Sequence, residues 1–254
     1  YRPGIWYLNP YLDDSTPTNI SQGNSHLESE KSHSFSLSYS NFTPKFNINL
    51  SLRYGFTNNS IENVVRMMPD TQIPGLKNPT GKDVLYTTYE NIGRSQSINL
   101  NTYINWNATK NTRIYVNGRL SYIDMDDGGS LSNHGWNLFT YGGAQQTLPK
   151  NWRLSFNFYG ITPNINLQGR GSSYSNYSMS IQKSWLKDRL NLTLSASNFL
   201  KKYKRYNYST VDNFFHADSW SKYVNQSFSL SISYRIGELK ASVKKAERSI
   251  SNDD

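Results

Sequence analysis

The chain has 254 residues, of which 36% are hydrophobic and 18% charged, and its formal net charge is +9. A soluble domain of ordinary composition has about 45–50% apolar residues, with glycine counted, and about 25% charged residues, so both classes are low here, and Ser, Asn, Thr and Tyr fill the difference. The absence of cysteine excludes a disulfide framework and a zinc–thiolate site. The 19 tyrosines and 6 tryptophans argue against a disordered chain. A transmembrane helix is not expected, because the sequence has no run of about 18 apolar residues.

The first residues, Tyr1 to Gly4, lack the charged and apolar regions of a signal peptide. We therefore expect the sequence to start within a longer protein or at the beginning of a mature form. Within residues 1–30 we allow for one strand in addition to those that follow.

The clearest element covers residues 46–56, where every even position from Phe46 to Phe56 is apolar or aromatic and every odd position is polar or glycine. Because successive side chains of a strand point to opposite faces, this segment has one apolar face and one polar face. A strand of about 9–11 residues is long enough to cross a bilayer in a tilted barrel.

The same period of two recurs along the chain and predicts nine strands. We expect them near residues 32–42, 46–57, 84–107, 112–126, 136–148, 152–163, 174–186, 189–200 and 222–236. An odd number does not close in the usual bacterial form. The predicted fold class is therefore all-β, namely an antiparallel transmembrane β-barrel segment that forms an open or partial barrel of about nine or ten strands. Residues 1–237 would be the C-terminal portion of an outer-membrane barrel, and residues 238–254 a hydrophilic tail.

A soluble β-sandwich also alternates, so the connections have to distinguish the two folds. Short connections at 43–45, 108–111, 148–151 and 186–189 take turns with long ones at 57–83, 126–135, 164–173 and 201–222. Outer-membrane barrels have short periplasmic turns and longer extracellular loops. Aromatic residues lie close to the short turns, as in a girdle at the headgroup level: Phe42, Phe46, Trp106, Trp152 and Trp185. The alternative is that these rings cap a soluble core.

Strict parity also predicts which side chains face lipid. This set comprises Phe46, Ile48, Leu50, Leu52, Leu154, Phe156, Leu192, Leu194, Leu230 and Ile232.

Several segments resemble the TonB-dependent receptors of the outer membrane, and most of all the outer-membrane β-barrel family of Bacteroides-type bacteria. The resemblance is carried by Arg2-Pro3, residues 8–11, Gly23-Asn24, residues 27–30, residues 88–93 and the ending 231–237 with its tail 240–254. It implies a 22-stranded barrel around an N-terminal plug domain that imports scarce nutrients with energy delivered through TonB. This sequence has neither the plug nor the TonB-contacting segment, so TonB would act through a plug missing from this chain.

Motifs for chemistry are absent from the sequence. The four histidines, His26, His33, His134 and His216, lack metal-binding spacing. The acidic segment 124–129 resembles a calcium loop, but Gly135 occupies the position where that loop requires Glu. Phosphate-binding loops and nucleophile elbows are likewise missing. We therefore expect no enzymatic activity, no cofactor and no metal.

Two groups of residues are candidates for ligand binding. The first is an aromatic loop that contains Tyr203, Tyr206, Tyr208, Phe214 and Trp220, because rings stack on sugars and are well buried at recognition sites. The alternative is that the rings pack on one another in strands that extend beyond the membrane. The second group is Arg53 and Arg119, each on the polar face eight residues from a short turn, where they either contact solute or plug carboxylates or bond to neighbouring Asn and Ser.

The expected partners are outer-membrane lipid and lipopolysaccharide, the plug domain, TonB through that plug, and an unknown solute. Nucleic acid is not expected, because most of the positive residues are scattered along the chain. The predicted function is that of an outer-membrane receptor and transporter barrel for TonB-dependent nutrient uptake. Two alternatives remain open: a passive channel or structural and adhesive barrel, and a soluble lectin-like sandwich.

Overall fold

The computed structural model describes residues 1–236, and the predicted tail at 238–254 lies outside the described residues. In chain order the elements are α1 (Ile5–Leu8), β1 (Leu12–Thr16), β2 (Asn19–Gln22), β3 (Lys31–Phe42), β4 (Phe46–Asn58), β5 (Ile61–Pro69), a 3-10 turn (Asp70–Gln72), β6 (Asp83–Asn91), β7 (Arg94–Asn107), β8 (Thr112–Asp126), β9 (Ser132–Leu148), β10 (Trp152–Ile161), β11 (Ile165–Asn166), β12 (Gly169–Arg170), β13 (Tyr174–Trp185), β14 (Leu190–Ser197), β15 (Tyr203–Val211), β16 (His216–Val224) and β17 (Ser227–Tyr234). Among the described residues, no helix is long and apolar enough to cross a membrane.

Nine of these strands form one antiparallel sheet in the order β17-β14-β13-β10-β9-β8-β7-β4-β3. This sheet confirms the predicted all-β fold with nine antiparallel strands. Within residues 1–236 the sheet does not close, because β3 and β17 each pair on one side only. The open, partial form that the odd strand number predicts is therefore observed.

The strands are strongly tilted, as one row of register partners shows. The row begins at Phe46, the first residue of β4, passes through Trp106, Ile114, Ala144, Phe156, Met179 and Ala196, and ends at Phe228 in β17. Phe46 follows a short turn, whereas Phe228 follows a long connection. A single row thus runs from one end of the sheet to the other, as the stagger of a barrel requires.

Register also sorts the side chains by face. The predicted lipid-facing residues pair with one another across the sheet, for example Leu192 with Ile232 and Leu194 with Leu230. Their apolar face is the exposed one: Phe46 is 37%, Phe156 40% and Leu230 65% accessible. The polar face is buried at its centre, where Ser121 and Asn137 are only 2% and 3% accessible. The apolar side chains therefore lie outside and the polar side chains inside, which is opposite to a soluble sandwich.

The connections obey the predicted parity but contain more structure than loops. The predicted strand 84–107 is wrong as a single strand, because it divides into β6 and β7 at Gly93, whose φ is +81°. A Cβ at Gly93 would lie 2.0 Å from the carbonyl oxygen of Asp126, so only glycine fits this bend. The connection expected at 126–135 is shorter than predicted, since β8 and β9 extend to Asp126 and Ser132.

Two small sheets form at the long-connection end. The first has the order β1-β2-β6-β5, in which β2 and β6 run parallel, and its core contains Ile20, Ile73 and Val84. Residues 1–30 therefore contribute a hairpin to this small sheet and not a further barrel strand. The second sheet has the order β11-β12-β15-β16, so the predicted loop 201–222 is largely a hairpin.

Four of the five predicted girdle residues lie on the apolar face near the short turns, namely Phe46, Trp106, Trp152 and Trp185. Phe42 is the exception. It pairs with Asn47 and therefore shares the polar face of the sheet with Ser40. Its assignment to the girdle was wrong because proximity to a turn does not fix the face, whereas register does.

Candidate functional site

The aromatic candidates lie on the β15–β16 hairpin, but the strands divide them between two faces. Tyr203 and Trp220 lie on one face, where Lys222 Nζ is 4.4 Å from the Tyr203 ring centroid and Arg205 Cζ is 4.6 Å from that of Trp220. Tyr206 and Tyr208 lie on the other face. Phe214 lies at the tip between the two strands and is 81% accessible.

Tyr206 belongs to a continuous chain of ring contacts, which we call the aromatic track. Its members and the distances between successive ring centroids are Phe139 to Tyr159 at 5.6 Å, Tyr159 to Tyr174 at 5.6 Å, Tyr174 to Tyr206 at 5.8 Å and Tyr206 to Tyr223 at 5.4 Å. Such distances are typical of stacked and edge-to-face aromatic pairs. The track therefore has five rings. Of these, Tyr206 is a candidate predicted from the sequence, and Tyr223 lies in the same aromatic segment.

The aromatic track connects the hairpin to the inner wall of the sheet. Phe139 and Tyr174 both pair with Ile161, and Tyr159 pairs with Tyr141, all on the polar face. Sequence reasoning missed this connection because Phe139, Tyr159 and Tyr174 lie on three different strands. The signal was an aromatic residue at an inward-facing position of each strand.

The middle of the track is partly withdrawn from water. Lys204 Nζ lies 4.6 Å from the Tyr174 ring centroid and 3.3 Å from Ser175 Oγ. Burial lowers the pKa of the Lys204 ammonium. Burial also raises the pKa of the Tyr206 phenol, and the neighbouring Tyr174 and Tyr223 add to that rise. The track thus presents rings and one cation in a partly desolvated setting.

The two candidate arginines lie on the inner wall, where they line one cavity of about 500 Å³ together with Ser, Asn and Thr residues of β3, β4 and β7. Arg53 Nη2 donates to Ser34 Oγ at 2.9 Å, as expected if this arginine bonds to neighbouring Asn and Ser side chains. Arg119 pairs in register with Phe139, the first ring of the aromatic track. The structure therefore places the arginine cavity beside the track, a proximity that no pattern in the sequence predicts.

The described part of the chain shows no group of three or more His, Asp or Glu side chains that could hold a metal. In the acidic segment 124–129, the carboxylates of Asp126 and Asp127 accept from the backbone of the same segment or of Leu131. Asp127 Oδ1 accepts from Gly129 N at 2.7 Å and from Leu131 N at 3.1 Å, and Asp126 Oδ1 accepts from Gly128 N at 2.7 Å. These contacts shape a turn.

One further residue was not a candidate. Lys183 lies on the apolar face of β13, between Ile181 and Trp185, and pairs with Trp152 of β10 and Leu192 of β14. Its signal in the sequence is a cation at a position where alternation requires an apolar residue.

Comparison with known protein families identifies a family that matches most of the chain. The family model described as "Outer membrane protein beta-barrel family" matches residues 1–234. No curated protein matches the sequence significantly.

Proposed function

The chain belongs to the outer membrane protein beta-barrel family and is located in the outer membrane, and we propose that it forms part of the wall of a receptor that imports a nutrient with energy delivered through TonB. The observation that carries this proposal is the aromatic track. It leads from a hairpin at the long-connection end, which faces the cell exterior in such barrels, to the inner wall beside Arg119.

The chemistry of the track favours one class of solute. Tyrosine rings bury apolar ring faces, and an arginine guanidinium binds carboxylate or phosphate with directed hydrogen bonds. A solute with a ring face and an anionic group, such as an acidic sugar, would contact Tyr206 and Tyr223 first. It would then pass Tyr174 and Tyr159 towards Arg119 and Arg53.

The unpaired edges of the sheet support the energised mode of transport, because that mode requires a barrel wide enough for a plug. Backbone groups within hydrocarbon must be paired, so the free edges of β3 and β17 need strands beyond the nine described. A barrel wide enough to accept them encloses a lumen that is plugged in the 22-stranded outer-membrane transporters. In this proposal the plug fills the lumen against the polar face, TonB acts on the plug, and outer-membrane lipid and lipopolysaccharide surround the apolar face. The wall binds and guides solute and carries out no catalysis.

The polar inner face also favours a second candidate, a passive channel or a structural and adhesive barrel. Rows of Ser and Asn on this face, such as Ser178 opposite Ser197 and Ser180 opposite Ser195, are typical of a water-filled lumen. Such a barrel would need neither a plug nor TonB.

Ion conductance of the full-length protein in planar lipid bilayers separates the two candidates. A plugged receptor conducts no steady current, whereas a passive channel conducts without an energy source.

The solute class is tested by tryptophan fluorescence titration, with tri-galacturonic acid as an acidic probe and maltotriose as a neutral probe. We expect tighter binding of the acidic probe and its loss in Arg119→Gln. Steady conductance overturns the energised mode, and equal binding of both probes overturns the solute class.

A further inference from the structure

Lys183 is the one charged side chain in the lower part of the apolar face that the structure describes. The other charged residues on that face, Lys31, Arg94, Asp124 and Asp126, lie at the opposite ends of their strands, by the long connections. A charged side chain within or beside the hydrocarbon is costly unless a function or a partner compensates for it. Lys183 therefore requires an explanation that the transport proposal does not provide.

Two tryptophans and a turn hold the Lys183 ammonium in place. Its Nζ lies 5.2 Å from the Trp152 ring centroid and 5.7 Å from that of Trp185. It also donates to the backbone carbonyl of Lys150. Lys150 and Asn151 both have a φ of 60°, so this turn takes a left-handed backbone that ordinarily favours glycine or asparagine.

The ammonium retains capacity for a further partner. An ammonium has three donors, and one of them is used by the Lys150 carbonyl. Within residues 1–236, no carboxylate forms an ion pair with Lys183. Two donors thus have no protein partner among the described residues, at a tryptophan-lined position two residues from the end of β13.

The surrounding charges are almost entirely positive. Positive charge at the short-turn end is carried by Lys45, Lys110, Arg113, Lys150, Arg153, Lys183, Lys187 and Arg235. Asp188 is the one acidic residue there among residues 1–236. The other acidic residues of this range lie in the N-terminal segment, the small sheets and the strand ends at the long connections. Anionic groups are therefore attracted to the short-turn end.

We propose that Lys183, with Trp152 and Trp185, binds the phosphate of a phospholipid headgroup in the periplasmic leaflet of the outer membrane. Tryptophans of this kind lie at the headgroup level, and a lysine beside them directs its ammonium to the same level. Short turns of outer-membrane barrels face the periplasm, where the leaflet consists of phospholipid and not lipopolysaccharide. The bound phosphate fixes the depth of β10 and β13 in the bilayer. This inference is independent of solute transport.

Native mass spectrometry of the full-length protein tests the proposal by counting retained lipids. The protein is equilibrated with phosphatidylglycerol and with diglucosyl diacylglycerol, a neutral lipid that has no phosphate. We expect the wild type and Lys183→Arg to prefer phosphatidylglycerol. Lys183→Met keeps the apolar stem without the charge and should reduce that preference about tenfold, which corresponds to about 1.4 kcal/mol.

Lys110→Met is the matched control, because Lys110 lies in a short turn outside the apolar face and contributes to the same positive end. It should retain the wild-type preference. If Lys183→Met does not insert, Lys183→Gln replaces it. Equal retention of both lipids by the wild type, an unchanged preference in Lys183→Met, an equal loss in Lys110→Met, or stronger retention of lipopolysaccharide than of phosphatidylglycerol overturns the proposal.

Discussion

Gln168 pairs through its side-chain amide with the backbone of Val65, a residue 103 positions earlier in the chain. Val65 N donates to Gln168 Oε1 at 2.7 Å, and Gln168 Nε2 donates to Val65 O at 2.9 Å. β5 is the edge strand of the first small sheet, and Gln168 precedes β12 in the second. The amide thus pairs with β5 as a neighbouring strand would, and it joins the two small sheets.

Replacing Gln168 by Leu should loosen this junction. Gln168 is 7% accessible, so the variant leaves Val65 N–H and C=O without partners in an enclosed place, at a cost of about 1–3 kcal/mol. Hydrogen exchange at the Val65 amide should accelerate, while exchange in β7 and β8 stays slow. Gln72→Leu, at an exposed position of the first small sheet's connection, is the control, and equal acceleration in both variants would contradict the role of Gln168.

Leu50 and Asn49 provide a second prediction, because they are neighbours in β4 on opposite faces. Leu50 pairs with Thr102 on the apolar face, and Asn49 pairs with Tyr103 on the polar face. Leu50→Arg should lower the free energy of unfolding in lipid by about 2–4 kcal/mol if the residue faces the bilayer midplane. Asn49→Arg should cost much less, since its charge reaches the polar lumen. Chemical denaturation in vesicles measures both, and similar costs at the two positions would reject the assignment of faces.

Asp70 makes the connection between β5 and β6 sensitive to acid. Its carboxylate accepts from Thr80 N at 2.6 Å, from Thr80 Oγ1 at 2.7 Å and from Gly81 N at 2.7 Å. These hydrogen bonds, that from the Thr80 amide above all, lower the pKa of Asp70 below its usual 3.8. A lowered pKa in the folded state stabilises the fold above pH 3.8, and that stabilisation is lost as the pH falls through the folded value.

We therefore expect hydrogen exchange at Thr80 and Gly81 to be protected at pH 7 and to lose protection, after correction for intrinsic rates, only below about pH 3.8. Asp70→Asn should show reduced protection already at pH 7 and little change on acidification. Protection that is the same in the variant and the wild type across this range would contradict the prediction.

The strands of the main sheet could be predicted from the sequence because one face of each meets lipid along its whole length. That condition imposes strict alternation, and alternation fixes both the strand and its face. The lipid-facing set from Phe46 to Ile232 followed directly. The break at Gly93 did not, because residues on both sides of it keep strand-like composition, and the contact that requires glycine is with the backbone of Asp126.

The candidate site could be predicted only in part. Tyr206 was found because aromatic residues cluster in the segment 203–223, and Arg53 and Arg119 because they are cations on a polar face. The track through Phe139 and Tyr159 depends on the register between strands, which no local pattern contains. Tyr203 and Tyr206 form one candidate group only if 201–222 is a loop, whereas in the strand β15 their odd spacing places them on opposite faces.

Tyr206 should hold the hairpin against the inner wall. It contacts the rings of both Tyr174 and Tyr223, and each aromatic pair stabilises by about 0.5–1.5 kcal/mol beyond its buried area. Tyr206→Ala should therefore increase proteolytic cleavage within residues 203–224, whereas Tyr206→Phe keeps the rings and should resemble the wild type. Tyr203→Ala removes a ring from the opposite face of the same strand and serves as the control. If it increases cleavage as much as Tyr206→Ala does, the ring contacts of Tyr206 are not what holds the hairpin against the inner wall.

The most direct test of the account concerns the apolar face of β10. The sequence contains no cysteine, so single cysteines can be placed at successive positions 153–158 and labelled with a fluorophore in the protein inserted into vesicles. Quenching by lipids brominated in their acyl chains then reports which side chains face hydrocarbon. We expect strong quenching at positions 154, 156 and 158 and weak quenching at positions 153, 155 and 157. Uniform quenching, or strong quenching at the odd positions, would contradict this expectation.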